Sequence, residues 1–182
     1  MISRLLPLLL LAACTATPPV ASTPATTSAT PATTTARIDT PRNVKDIDAC
    51  KLLTAEDVRS VGPFYREPAD NPDGQPPAFK SCRYAVDDGS EELVTVYVQV
   101  IPRKYKDVVF GEPKGSEEIV DGHSVWSSCE PNDRELWCMS TAAVTEKNVL
   151  RVSVRQPKAS AQRVQQLAKE WLPKTLRRLP VT

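Results

Sequence analysis

The sequence contains one histidine, few glycines, few aromatic residues and no strong excess of either charge. Over 182 residues, 23 lysines and arginines stand against 22 acidic residues, which gives a formal net charge of +1. This balance argues against a nucleic-acid-binding protein or a polybasic membrane sensor, because both need a large cationic surface. The one histidine, His123, must serve any Ser-His-Asp or Cys-His catalytic arrangement.

Catalytic motifs are equally scarce. His123 directly follows Asp121-Gly122, where a polar, partly exposed residue needs no catalytic explanation, and no Gly-x-Ser-x-Gly elbow is present. The carboxylate pairs Asp87-Asp88, Glu91-Glu92 and Glu117-Glu118 are adjacent in sequence and alternate in direction on a strand. They therefore do not converge as the two acids of a glycosidase do, and they are typical of solvated turn ends. We predict that the protein is not an enzyme, with no catalytic residues and no cofactor.

The sequence has no apolar run of the roughly 20 residues that a membrane-spanning helix needs. It begins instead with Arg4, a leucine-rich run from Leu5 to Leu11, and then Ala12-Ala13-Cys14. This pattern is typical of a lipoprotein signal peptide, residues 1–13, cleaved before a cysteine that carries lipid. We predict that Cys14 is lipidated, and that acyl chains such as palmitate hold the protein on the outer face of the cell membrane. The alternative is an ordinary secretory signal in which Cys14 has no such role.

Residues 14–43 differ in composition from the rest of the chain. They are rich in threonine, alanine and proline, with no charged residue before Arg37. Such a segment cannot bury enough apolar surface to offset its chain entropy, so it is predicted to be a disordered tether. Residues 44–182 are predicted to form a single globular domain, long enough to bury a core of its own.

Four cysteines remain after Cys14, and an even number in an exported domain indicates two disulfides. A hairpin turn through residues 131–134 sets Cys129 directly opposite Cys138, close to disulfide distance. That pairing leaves Cys50 to bond with Cys82. A zinc site is the alternative, but the cysteines lack a Cys-x-x-Cys spacing.

The segment Asp70-Asn71-Pro72-Asp73-Gly74 is similar to a calcium-binding loop. When Gly74 is aligned with the invariant glycine of that loop, Ala69 and Lys80 occupy the first and last ligand positions. Neither offers a carboxylate, so we predict a solvated turn and no metal site.

Hydrophobic periodicity predicts an α+β domain with a mostly antiparallel sheet of about six strands. The predicted strands are residues 82–86, 94–100, 118–120, 124–129, 136–144 and 149–154. The sheet is predicted to pack against a C-terminal helix from Ser160, which Pro173 kinks or interrupts, and against a short N-terminal helix. Thr54 is placed to cap that short helix, a further short helix is predicted at residues 105–110, and residues 63–77 are predicted to form a long loop.

Five aromatic residues form a candidate ligand or partner surface: Tyr97, Trp126, Trp137, Phe64 and Tyr65. The two tryptophans fall on the face of their hairpin opposite to the two cysteines, and Tyr97 lies on the polar-leaning face of its strand. The alternative, which we favour, is that the terminal helix covers this face and that the aromatics belong to the core.

The C-terminal segment is basic, because it contains Lys169, Lys174, Arg177 and Arg178. Cations at the end of a helix complement its macrodipole, so the expected arrangement is a solvated helix face. Contact with a membrane or an acidic polymer is the alternative.

A family resemblance adds to these observations. The lipoprotein signal, the Thr/Pro tether, the motif Asp48-Ala49-Cys50-Lys51-Leu52-Leu53-Thr54-Ala55-Glu56-Asp57-Val58 and the later Cys82-Arg83-Tyr84 together resemble a family of actinobacterial lipoproteins. That family is catalogued as a domain of unknown function, number thirty-five fifty-eight. The resemblance implies a secreted α+β domain without an established reaction, and it implies no catalytic residues.

The sequence thus favours a non-enzymatic binding or accessory lipoprotein at the cell envelope. Its expected partners are the membrane, through the lipid anchor, and an envelope protein or small ligand, but not nucleic acid. Two alternatives remain: a carrier of a lipid or other apolar molecule, which needs a hollow interior, and a cell-wall hydrolase built around His123.

Overall fold

The computed structural model of the protein describes residues 35–70, 79–110, 114–131 and 136–182. Within these residues it has seven strands: β1 (Ala69–Asp70), β2 (Lys80–Val86), β3 (Val94–Ile101), β4 (Gly115–Val120), β5 (His123–Pro131), β6 (Leu136–Thr145) and β7 (Asn148–Arg155). The α-helices are α1 (Ala55–Val58), α2 (Tyr105–Val109) and α3 (Ala161–Arg178). The predicted signal peptide, Cys14, the tether up to residue 34, and most of the segment compared with a calcium loop lie outside the described residues.

The strands form one antiparallel sheet in the order β1-β2-β3-β7-β6-β5-β4. Strands β4 to β7 follow one another as neighbours, beginning with the Asp121-Gly122 turn. Both turn residues have positive φ (48° and 79°), which matches the twist of a tight hairpin. Because β7 then pairs with β3, the four-strand meander joins the β2–β3 hairpin in a single sheet.

The predicted α+β class is confirmed, with seven strands in place of about six. The additional strand is β1, which lies inside the predicted loop 63–77 and pairs Ala69 with Arg83 and Asp70 with Cys82. A two-residue strand shows no alternation of apolar and polar residues, so periodicity cannot reveal it. Its pairing depends on the neighbouring strand instead of on its own sequence.

The main core lies between the sheet and α3. Alternate residues of β3 and β7 point to this interface, and α3 meets them with one apolar stripe. The buried residues from these three elements are Val94, Val96, Val98, Val100, Leu150, Val152, Val154, Val164, Leu167, Ala168, Trp171, Leu172 and Leu176. The C-terminal helix therefore covers one face of the sheet and not the other.

Pro173 does not interrupt α3, which runs without a break from Ala161 to Arg178. Proline has no N–H to donate to the carbonyl one turn earlier, which is why an interruption is expected. However, Trp171, Leu172 and Leu176 on either side of it are buried against the sheet. Their packing holds both halves of the helix in place.

Residues 35–43, which we call the strap, belong to the structured unit, whereas the sequence assigns them to the tether. Ile38 pairs with His123 in an isolated bridge, and Arg42 pairs with Val181 near the C-terminus. The Asn43 N–H also donates to the Pro180 carbonyl at 2.7 Å. The two ends of the described unit are thus joined to each other, and residues 35–43 are hydrogen-bonded to the rest of it.

The two motifs that carry the family resemblance lie against each other. Cys50 forms a disulfide with Cys82 of β2, as predicted. Two residues further along β2, the buried hydroxyl of Tyr84 donates to the Ala49 carbonyl at 2.7 Å and accepts from the Leu53 N–H at 3.3 Å. Burial raises the pKa of Tyr84, which keeps this hydroxyl protonated. One covalent bond and two hydrogen bonds therefore fix the Asp48–Leu53 segment to the sheet.

The predicted cap of the short helix α1 is present, and it extends to α3. The Asp57 carboxylate accepts hydrogen bonds from the Thr54 backbone N–H (2.8 Å) and hydroxyl (2.9 Å). The Arg178 guanidinium lies 2.7 Å from the same carboxylate. Burial raises the pKa of Asp57, but the bonds from Thr54 and Arg178 outweigh it and lower the pKa overall. This carboxylate thus links the first and last helices of the domain.

The second predicted disulfide is also confirmed. Cys129 of β5 lies opposite Cys138 of β6 in the hairpin register, and the two are bonded. Cys138 is fully buried and belongs to the main core. The bond therefore faces α3, on the side opposite to the tryptophans of the same hairpin.

We expect Tyr84→Phe to lower the free energy of unfolding by about 1–3 kcal/mol. The substitution keeps the ring but removes the hydroxyl, leaving the Ala49 carbonyl and the Leu53 N–H buried without that partner. Urea denaturation measures the change. Tyr65→Phe is the matched control, because Tyr65 is 63% exposed and the same change there should shift stability by less than about 0.5 kcal/mol. Equal effects of the two variants would contradict the role of the Tyr84 hydroxyl.

Candidate functional site

The face of the sheet that α3 leaves uncovered carries three of the five candidate aromatics. Trp126 and Trp137 alternate with the core-facing residues of β5 and β6, and Tyr97 alternates with the core valines of β3. All three are partly buried. The hypothesis that the terminal helix covers them is therefore wrong, because α3 packs on the cysteine-bearing face of the same hairpin.

Tyr97 and Trp137 form a stacked pair at the middle of this face. Their ring centroids lie 5.5 Å apart and their planes are inclined by 17°. They come from strands β3 and β6, on either side of β7, whose Ser153 pairs with Tyr97 and whose Arg155 pairs with Trp137. Because the intervening Ser153 is small, the two large rings can meet above it.

Arginine side chains surround this pair. The Arg155 guanidinium lies 5.2 Å from the centroid of the Trp137 ring, within the range of a cation–π contact. Arg83 pairs with Tyr97 in the register of β2 and β3, and the Arg151 Nε donates to the Thr141 hydroxyl at 3.0 Å. We call the surface formed by Tyr97, Trp137, Arg83, Arg151 and Arg155 the open face. It combines two flat rings with guanidinium groups and neighbouring hydroxyls.

Trp126 lies on the same side of the sheet but in a separate cluster, the minor core. Its members are Ile101, Tyr105, Ala143 and Val149, with Ala36, Ile38, Phe79, Val108, Val109 and Trp126 packed against them. The Tyr105 hydroxyl donates to Glu117 of β4 at 3.2 Å, and burial together with that carboxylate raises the pKa of Tyr105. Helix α2 therefore packs at this end of the sheet, next to the open face, because Trp126 pairs with Thr141, the residue that accepts from Arg151.

Phe64 and Tyr65 do not join the other aromatics. Phe64 packs against Tyr84 on the core side of β2, with ring centroids 5.6 Å apart. Tyr65 is exposed, and its N–H donates to the Ala85 carbonyl beside β2. The five residues that the sequence groups as one surface thus lie in three different places.

His123 is fully buried, although its position after a turn predicts partial exposure. Its Nδ1 lies 2.6 Å from the Ala143 carbonyl oxygen, and its Nε2 has no hydrogen-bond partner among the described residues. The strap covers it, because Ile38 pairs directly with His123. The ring is thus buried, with one nitrogen beside a backbone carbonyl oxygen.

Asp88 is a second polar residue whose surroundings differ from the prediction, which was a solvated turn end. Its carboxylate accepts hydrogen bonds from Ser90 (2.6 Å), Gln156 (2.8 Å) and Arg163 (3.0 Å). Burial raises its pKa, but these donors outweigh burial and lower it to about 2. The network joins the β2–β3 turn to the start of α3. Two of the three donors, Gln156 and Arg163, come from distant parts of the chain, so a local pattern could not reveal the network.

The basic residues of the C-terminal segment are held by partners within the domain. Their ion pairs are Lys169–Glu118 (2.9 Å), Lys174–Glu170 (2.7 Å), Arg177–Asp121 (3.9 Å) and Arg178–Asp57 (2.7 Å). Three of them tie α3 to other parts of the domain, through carboxylates on β4, on the β4–β5 turn and on α1. These contacts favour a structural role for the cations over contact with an acidic polymer.

Among the described residues, one cluster brings together atoms that could bind a metal ion. Asp48, Cys50 and Asp70 each place one such atom within 4.8 Å of the others. Cys50 is in a disulfide, however, and offers no thiolate to a metal. The Asp48 carboxylate already accepts the Cys50 N–H at 2.9 Å. Two surface carboxylates remain, and they are part of the joint between this segment and the sheet.

Two cavities lie away from the open face. One of about 570 Å³ lies between the strap and the β6–β7 turn and is lined by Ile38, Pro41 and Lys147 among others. The other, of about 410 Å³, surrounds the Asp88 network. Both are shallow and lie at the ends of strands, so neither forms a hollow interior beneath the sheet.

The comparisons with known proteins give one result, a match to a family model. A family model described as Protein of unknown function (DUF3558) matches residues 9–174. The chain belongs to this family. No curated protein and no solved structure matches the chain. The matched residues include the whole described domain apart from the last residues of α3 and the C-terminus. The family description assigns no catalytic residue.

We expect Asp88→Asn to remove one part of the domain's acid-sensitive stability. In the folded protein the pKa of Asp88 is about 2, below the ordinary value of 3.8, so the unfolded chain takes up the proton first. The stabilisation is complete above about pH 4 and is lost as the pH falls towards 2. At neutral pH the variant should lose about 1–2 kcal/mol.

Urea denaturation at a series of pH values measures this effect. Asp87→Asn is the matched control and should retain the wild-type slope between pH 4 and pH 2. A slope unchanged by Asp88→Asn would contradict the role assigned to the network.

Proposed function

We propose that the protein is a lipid-anchored, non-enzymatic binding module on the outer face of the cell membrane, and that its ligand or partner contacts the open face. The observation that carries this proposal is the Tyr97–Trp137 stack on a sheet face that no long helix covers. Large aromatic rings and arginines are the residues most often responsible for binding energy at interfaces. The rings supply a flat apolar surface, and the guanidinium groups supply donors around it.

The lipid anchor is supported by independent features. The family match begins at residue 9, so that Cys14 lies inside the matched region. Two disulfides in a domain of this size are typical of proteins outside the cytosol. No helix within the described residues is long and apolar enough to cross a membrane.

The non-enzymatic role is supported by the environment of His123. Its ring is buried beneath the strap, and its Nδ1 lies 2.6 Å from a backbone carbonyl oxygen, not from a carboxylate. The space between the sheet and α3 is filled by fully buried side chains, including Trp171 and Leu172. This packing favours a binding surface over a carrier that holds its cargo in that interface.

We expect the mature protein to begin with Cys14 carrying a thioether-linked diacylglyceryl group, because the preceding Leu11-Ala12-Ala13 fits the cleavage and acylation pattern. Intact-mass and peptide mass spectrometry of the protein purified from its own host will detect it. An unmodified amino terminus would contradict the anchor.

We expect a photoreactive phenylalanine analogue at position 97 to capture one reproducible envelope component on intact cells. The same analogue at position 65 is the control, because Tyr65 is exposed but lies away from the open face. Trp137→Ala in the position-97 protein should reduce capture about tenfold, since it removes the other half of the stack.

Capture of the same product at both positions would contradict the open face as the binding site. Turnover of a wall-derived substrate without any captured product would contradict the non-enzymatic role.

A further inference from the structure

Phe110 is the most exposed large hydrophobic residue that the structure describes, with 94% of its surface accessible. It directly follows α2, whose other side is fixed to the sheet because Tyr105, Val108 and Val109 pack in the minor core. The helix therefore cannot rotate to bury Phe110 without giving up these contacts. A single exposed apolar residue is common in proteins, so its meaning depends on its surroundings.

The segment that leads to Phe110 is rich in cations, in a protein that is otherwise balanced in charge. Arg103, Lys104 and Lys106 are all exposed, and Asp107 is the one acid between residues 103 and 110. Lys106 and Phe110 are four residues apart, which places them on one side of the helix. Within the described parts of the chain, Lys104 and Lys106 form no ion pair, in contrast to the paired cations of α3. Helix α2 thus presents unpaired positive charge beside an exposed ring.

The position of α2 relative to the chain entry is the third observation. The described domain begins at Thr35, and Ala36 and Ile38 pack in the same minor core as α2. The chain that leads back to Cys14 therefore leaves the domain beside α2. The tether predicted from composition would, as a flexible coil, have a root-mean-square span of about 25 Å, which would keep this side of the domain within reach of an anchored lipid.

We propose that α2 docks on anionic phospholipid of the membrane that carries the anchor, with Phe110 at the headgroup boundary and Arg103, Lys104 and Lys106 near lipid phosphates. This inference rests on the proposed lipid anchor. An apolar ring among lysines and arginines fits the interface of an anionic bilayer, where the ring enters and the cations reach the phosphates.

Three cations and one ring are too few for tight binding of a free protein. A tether changes this. Once the lipid anchor is inserted, the contact of α2 with the membrane is intramolecular, and the local concentration of headgroups is in the millimolar range. Docking through α2 restrains the domain close to the bilayer, so that the open face is presented in a limited range of orientations and does not rotate freely.

The test uses the full protein purified from host membranes and reconstituted in two kinds of vesicle. One contains phosphatidylcholine alone, and the other contains an equal mixture with phosphatidylglycerol. Hydrogen–deuterium exchange of residues 103–110, followed by mass spectrometry, reports docking. We expect slower exchange of this segment on the anionic vesicles, reversed by salt because the attraction is electrostatic.

Variants separate the contribution of the lysines from that of Phe110. Lys104→Gln with Lys106→Gln should weaken docking about thirtyfold, from the loss of two cations at an anionic surface. Phe110→Ser should weaken it about tenfold, from the loss of an inserted ring. The matched control is Tyr65→Ser with Arg66→Gln, which removes an exposed aromatic and an exposed arginine elsewhere. It should leave the protection of residues 103–110 unchanged.

Equal exchange on the two kinds of vesicle would overturn the proposal, and so would protection that survives both the lysine and the Phe110 substitutions. Failure of the anchor gives a different result. A protein without acyl chains will associate stably with neither kind of vesicle, whereas an anchored protein whose α2 does not dock will associate with both and show equal exchange on them.

Discussion

The strict alternation of apolar residues along β3 and β7 places their valines and leucines on one face of the sheet, and α3 covers that face. One helix of 18 residues can cover only one side of a seven-stranded sheet. Only shorter elements are left to cover the opposite side, and α2 with the strap covers only its end. The open face with the Tyr97–Trp137 stack, the separate minor core and the exposed end of α2 all follow from this single constraint.

The family motifs describe the joint between the N-terminal segment and the sheet. Cys50 bonds to Cys82, Tyr84 holds the backbone between Ala49 and Leu53, and Asp57 links α1 to α3. Each of these residues has a structural reason for its identity, because a smaller or uncharged substitute would leave a buried polar group without its partner. Membership of the family therefore reports how the chain folds. The residues of the open face lie outside both motifs, apart from Arg83, which sits between Cys82 and Tyr84 in the shorter one.

Local patterns predicted most of the elements, and long-range contacts decided the polar residues. The Asp121-Gly122 turn and the register of Cys129 with Cys138 depend on neighbours within one hairpin, and both are confirmed. Asp88 and His123 were placed wrongly because their environments come from far along the chain. Arg163 reaches Asp88 from α3, and the strap lies over His123. The surroundings of a side chain depend on which distant segments pack beside it, and residue type alone does not indicate them.

The sequence by itself determined the α+β class, six of the seven described strands, the three described α-helices, both disulfides and the residue alternation that separates the two faces of the sheet. These features depend on the repeat of side-chain direction along a helix or strand, which spans only a few residues. Only the tertiary structure decided which face α3 covers, that β1 pairs with β2, and that the aromatics divide among three places. The two faces of an amphipathic sheet can be distinguished locally, but the element that packs on each one is chosen by the free energy of the whole chain.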